Sequence, residues 1–404
     1  MFFGHVYFSR SGRRVAYPII ENDKERYVID GIGQALFDSV GPLAFSTDET
    51  RVAYNALVGG KEVVVLGSTT GPVVDEVWPP FFDPFCRAVA YKAVREEKTF
   101  VIRGMLEDPV FDRVSNPVFS PDCRTVAYAA EEREEHFVVV DGHRGSSFTE
   151  VSQPVFRSDG AVVYAARDGE KAFIVDGGHR GPAFDEVGNP VVSPNGSSLA
   201  FAARQDEKWF VTKEHERSPG YESVDGLRFD AFGNFSFSAR DEGRQFFVVN
   251  GRRLKGFNVV FRLALSKDGR SYAHGALIRG KSYIVFGDEL IGPFENVEDI
   301  VLSTDGRRLA YVSRSGLEST VVVDGSKAPP VDRPYDLMFS PDGHSVAYAA
   351  LMHGKSYAIV NGLKGPLLSE VQNLTFSPDG KKVAYGARDG RRLWWKVADV
   401  THRK

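Results

Sequence analysis

Any chemistry in this 404-residue chain has to come from a small set of side chains. A serine nucleophile is commonly held on a strained Gly-x-Ser-x-Gly elbow, and that motif is absent. The P-loop and the dinucleotide fingerprint are absent too, and the 40 glycines recur at turn positions. Metal binding needs ligands that converge. The nine histidines are scattered; His143 and His179 occupy equivalent His-Arg-Gly segments and read as copied surface loops. A set of acidic residues recurs at Asp38, Asp75, Asp112, Glu150, Asp185, Glu222, Glu295, Asp332 and Glu370. They could form a negative ring for basic partners or calcium. No Asp-x-Asp-x-Asp loop accompanies them. Charge on an exposed edge strand, which blocks edge-to-edge pairing, is the simpler explanation. The sequence therefore implies no catalytic residues, no metal and no cofactor.

Cys86 and Cys123 hold the same turn position in consecutive repeats. A disulfide needs Cα atoms within about 7 Å. Adjacent repeats are expected to hold these two farther apart, leaving two free thiols suited to a reducing compartment.

Binding must use positions that break the repeat, because repeat-invariant residues serve the fold. The connection into each repeat's first strand is such a place. Its first position holds Trp78, Phe261 and Tyr335 where other repeats are mostly small or polar. The next position gives Asn116, Gln153, Asn189, Arg262, Asp299, Asp336 and Asn373. Aromatics mixed with amides and charge resemble a recognition surface. The candidate binding set is the three aromatics with Asn116, Gln153, Asn189, Arg262 and Asn373, eight residues in all. The plainer possibility is that the aromatics fill gaps between uneven repeats.

The elements that must position these residues follow from internal repetition. Phe-Ser-Pro-Asp-Gly-x-x-Val-Ala-Tyr occurs in full at 339–348 and 376–385. It occurs with Cys123 for Gly at 119–128. Weaker copies begin at Phe8, Phe45, Phe82, Phe156, Val192, Phe229, Leu265 and Leu302, so eleven starts lie 36 or 37 residues apart. Each repeat contains four strand signals rich in β-branched and aromatic residues and bounded by Gly, Asp and Pro. In one repeat these are Pro117-Val118-Phe119-Ser120, Val126-Ala127-Tyr128-Ala129, Phe137-Val138-Val139-Val140 and Phe148-Thr149-Glu150-Val151. The recurrent Phe and Tyr are expected to fill layers between neighbouring sheets.

The turn and the strand after it resemble the PD40 or TolB-like repeat, a WD40-like β-propeller family. Its signature is a Ser-Pro-Asp-Gly turn followed by an apolar-Ala-aromatic strand. The Gly-His and Trp-Asp pairs of true WD40 repeats are missing. The resemblance implies an all-β propeller of four-stranded antiparallel blades. Residues 1–404 read as a single domain of eleven repeats. The even spacing favours one large ring over two rings of five and six blades. The last repeat stops before a fourth strand, and Phe2 and Phe3 could supply a stub of it.

The composition agrees with a globular chain. It is 42% hydrophobic with net charge −4, which excludes disorder driven by charge. The 50 basic residues are offset by 54 acidic ones, so no nucleic-acid partner is expected. No apolar run approaches membrane-spanning length, so no membrane partner is expected either. The first residues lack a signal-peptide pattern, so a cytoplasmic location is expected. The functional expectation is a monomeric, non-enzymatic scaffold that binds protein or peptide through the connections before each first strand and the charged loops. The competing class is a small-ligand binder or enzyme using the central channel.

Overall fold

The computed structural model describes residues 6–9, 11–82, 89–390 and 392–400. Phe2, Phe3 and Cys86 lie outside the described residues. All regular structure among the described residues is β-strand, in eleven antiparallel sheets. The chain divides into two compact units, Met1–Gly220 with six sheets and Tyr221–Lys404 with five. The fourth sheet shows the plan. Its first strand comes in two pieces, Arg113–Val114 and Val118–Phe119. Val126–Glu132, Glu135–Val140 and His143–Arg144 follow, hydrogen-bonded in chain order. One such sheet per repeat is the blade of a β-propeller, so the expected fold class is the one observed. The eleventh sheet has three strands among the described residues: Glu370–Phe376, Lys382–Asp389 and Arg392–Asp399.

The strand read at 148–151 is divided between two sheets. Phe148 bridges His136 in its own sheet, whereas Glu150 and Val151 pair with Arg167 and Ala166 in the next. The fourth strand is therefore a two-residue stub after the Asp141-Gly142 turn. The connection between sheets comes earlier than the apolar pattern suggests. The charged run 131–135 is mostly strand as well; only Arg133 and Glu134 turn, both with positive φ.

Proline decides how each first strand is built. In sheets three to six the third residue of the connection is Pro80, Pro117, Pro154 or Pro190, and the strand is cut in two. Leu43, Leu227, Leu263, Ile300, Leu337 and Leu374 hold that place in other sheets, and there the strand runs on through a register shift. Proline has no N–H to give the ladder, so the pairing stops where it stands.

The core lies between sheets, in aromatic layers. Tyr54, Tyr91 and Tyr128 on second strands are at most 2% exposed. After most fourth-strand stubs an aromatic reaches forward onto the next sheet. Phe148, for example, meets Tyr164 and Phe173 edge-on at centroid distances of 6.1 and 5.6 Å. Each buried Phe contributes about 1.5–3 kcal/mol.

The first turn is built by its own side chains. Ser120 Oγ donates to Asp122 Oδ1 at 2.6 Å and accepts the Thr125 N–H at 3.0 Å. The residue after that Asp is left-handed, which suits the usual glycine; Cys123 adopts it with φ of 62°. Consecutive turns stand very close. A Cβ on Gly343 would lie 3.2 Å from Ser303 Cβ, and one on Gly196 2.6 Å from Ser158 N. This overturns the expected separation of the cysteine positions: Cys123 is disulfide-bonded, not a free thiol.

Candidate functional site: a groove along the strand bulges

Six of the nine recurrent acids, Asp38, Asp75, Asp112, Asp185, Glu295 and Asp332, prove to be staples. Asp112 Oδ2 accepts the Arg133 N–H at 2.7 Å, capping the next sheet's hairpin, and Oδ1 meets Lys98 Nζ of the preceding sheet at 3.0 Å. The backbone donor, then the lysine, hold its carboxyl below the ordinary carboxylate range. Asp38 with Gly59 and Lys24, and Asp185 with Asp206 and Lys171, repeat the arrangement. These six carboxylates are committed to the fold, which corrects the reading of them as edge charge; at Glu150 and Glu370 the preceding Thr149 and Ser369 hydroxyls take the capping role.

The eight candidate residues sit mid-strand, at the interruption or bulge of the first strand, rather than at loop tips. The reason is the earlier crossover: the residues before them already pair with the new sheet. Four lie in the first unit. Trp78 is half-buried, with Lys92 Nζ 3.7 Å from its ring centre. Burial pushes that lysine's pKa down. Asn116, Gln153 and Asn189 are exposed, and Gln153 Nε2 reaches the Asn116 carbonyl at 3.5 Å.

The other four lie in the second unit, and three of them meet. Phe261, Arg262 and Tyr335 line a groove of about 940 Å³ formed by the bulges of Val259–Leu265, Asn296–Leu302 and Arg333–Phe339. Phe261 is seated because Gly275 stands opposite it; a Cβ there would come within 2.2 Å of the ring. Tyr335 packs against the eleventh sheet and its hydroxyl donates to the Val371 carbonyl at 2.8 Å. Burial raises its pKa. Both aromatics thus do fill gaps between sheets, while part of each ring remains in the groove. Asn373 is exposed in the next bulge and does not line the groove.

Left-handed backbone explains much of the second bulge position. Arg262, Asp336 and Asn373 have φ of 51°, 55° and 54°, and Gly226 has 65°. Gly, Asn and Asp tolerate this region, so three of the four residues serve the bulge itself. Arg262 has no such conformational reason. It is exposed and forms no ion pair among the described residues.

Of the groove's other charged members, Glu298, Asp299 and Asp336 hold the same connection positions in the sequence and Asp332 is one of the recurrent acids, but none is in the candidate binding set. Glu298 is held by Arg314 at 3.2 Å and by the Ser319 hydroxyl at 3.2 Å. Asp332 caps His353 N at 2.7 Å. Arg262, Arg333, Asp299 and Asp336 remain as charges without a cross-sheet partner among the described residues. A smaller cavity of about 350 Å³ continues the groove past Arg262 and Asp299 toward Asp225, Arg228 and Ser238. Their irregularity against the repeat was the available signal. Among the described residues, no group of three or more His, Cys, Asp or Glu is placed to hold a metal ion. No helix among them is long and apolar enough to cross a membrane.

No protein-family model matches the sequence, and no curated protein matches it. Solved structures resemble it only distantly. The Dos1 propeller is 11% identical with TM-score 0.33, covering 67% of this chain and 89% of its own. Hydrazine synthase of Kuenenia stuttgartiensis is 14% identical with TM-score 0.29, covering 61% and 95%. TolB from Acinetobacter baumannii is 15% identical with TM-score 0.25, covering 67% and 79%. At these scores the likenesses carry no argument about this chain.

Proposed function

We propose that the chain is a non-enzymatic scaffold that holds a polypeptide segment along the bulge groove of residues 221–404. One observation carries this reading: half-buried aromatics and unpaired charges of both signs lie together where the repeat is broken. Backbone amides and side chains of an extended segment offer both donors and acceptors. Arg262 and Arg333 on one hand, and Asp299 and Asp336 on the other, can meet both. Arg262 supports it further, because the repeat places a long cation where glycine or asparagine would relieve the backbone. The expectation of a cytoplasmic location drew support from free thiols, and the disulfide at Cys123 withdraws that support.

Display of random peptides against the immobilised full chain tests the reading. Selected peptides should bind the wild type and lose about tenfold or more in affinity on Arg262→Glu or Asp336→Lys, the cost of a lost charge-assisted hydrogen bond. Asn116→Ala, in the first unit, should change nothing. Failure to enrich any sequence, or binders indifferent to both reversals, would refute it.

A further inference from the structure

A second cavity, of about 680 Å³, opens between sheets nine and ten, away from the bulges. Its origin is in the repeat. The residue that bridges back after each fourth-strand stub is usually aromatic: Phe37, Phe111, Phe148, Phe184, Phe257 and Phe294. It fills the space before the next sheet's second and third strands. In sheet nine this residue is Val331, bridged to Ser319. Val74 in sheet two is equally short. There Met105 comes from the next sheet's turn, its sulfur 3.5 Å from where a Cβ on Gly71 would lie. The residue matching Met105 beside Val331 is Gly362. Short filler thus coincides with a glycine turn, and nothing replaces the missing ring.

The walls of the opening are Val321, Val331, Val346, Tyr348, Tyr357 and Ile359. Its rim is cationic. Arg308 is paired with Asp324 at 2.8 Å. Lys327 and Lys364 have no carboxylate within ion-pair distance among the described residues, and Lys364 Nζ lies 5.1 Å from the centre of the Tyr357 ring. An apolar slot with two unneutralised ammonium groups at its mouth suits one class of molecule.

We propose that this cavity binds a small amphipathic carboxylate, its apolar body in the space Phe would fill and its carboxylate between Lys327 and Lys364. The site is separate from the groove and does not depend on the peptide reading. Calorimetric titration of the full chain with decanoate and 1-naphthoate, with 1-decanol as the uncharged control, tests it. Either carboxylate should bind, and Val331→Phe should abolish binding while keeping or raising the melting temperature, since it restores the repeat's own filler. Lys327→Glu with Lys364→Glu should weaken the carboxylates by about tenfold and leave 1-decanol unaffected. No binding of either carboxylate, or unchanged binding in a folded Val331→Phe chain, would overturn the proposal. So would equal weakening of 1-decanol by the lysine reversals.

Discussion

His274 shows how one residue can depart from its repeat and set a property of its surroundings. Sister positions hold Tyr or Phe; here an imidazole with no exposed surface lies between Phe247, Phe257 and Tyr272. Its Nδ1 donates to the Gly275 carbonyl at 3.0 Å, so Nε2 carries the lone pair, and Nε2 has no partner among the described residues. Burial holds its pKa below the ordinary 6.5. The Gly275 carbonyl favours the charged form, and burial outweighs it. The unfolded chain gains a proton near pH 6.5 that the folded chain refuses. Stability is therefore complete above that pH and falls below it, by up to about 1.4 kcal/mol per pH unit. Denaturant melts at pH 7.5 and 5.5 should show this loss in the wild type, and His274→Phe should shrink it. An unchanged slope in the variant would show that other groups carry the pH response. The chemistry of such residues was only partly legible in the sequence. Phe261, Arg262 and Tyr335 stood out because they break the pattern. Glu298 and Asp336 stand at the same connection positions but were left out of the binding set, and Arg333 gave no signal, because only the fold shows which charges are already engaged by neighbours.

At the scale of strands and sheets, the repeat made the turns and second strands plain, since Ser-Pro-Asp-Gly and Val-Ala-Tyr bury or bond the same atoms each time. The fourth strand was misread. A stub of two residues has no periodicity to detect, and the Glu150–Val151 pair beyond it belongs to the next sheet's ladder. What joins sheets is the aromatic that follows the stub. Phe148→Ala should cost about 3–5 kcal/mol in the unit Met1–Gly220, from lost burial plus a cavity between sheets four and five. Thermal denaturation measures it. A loss below about 1 kcal/mol would mean the layer collapses around the gap, and would remove the reason for expecting an open cavity beside Val331.

At the scale of the whole chain, eleven starts 36 or 37 residues apart made the blade count and fold class readable, because propeller blades differ little in length. Whether consecutive turns come near enough to cross-link was not readable, since spacing along the chain says nothing of distance across it. Cys123 should resist alkylation in the native, unreduced chain and react after reduction; mass spectrometry of the peptide containing it settles the point, and prompt labelling without reductant would contradict the bond. The proposed function rests on what the repeats leave free, chiefly the groove of Tyr221–Lys404. Hydrogen–deuterium exchange of the full chain with a selected peptide bound tests that claim most directly. Protection is predicted over Val259–Leu265, Asn296–Leu302 and Arg333–Phe339. Protection confined to other strands, with these three unchanged, would contradict it.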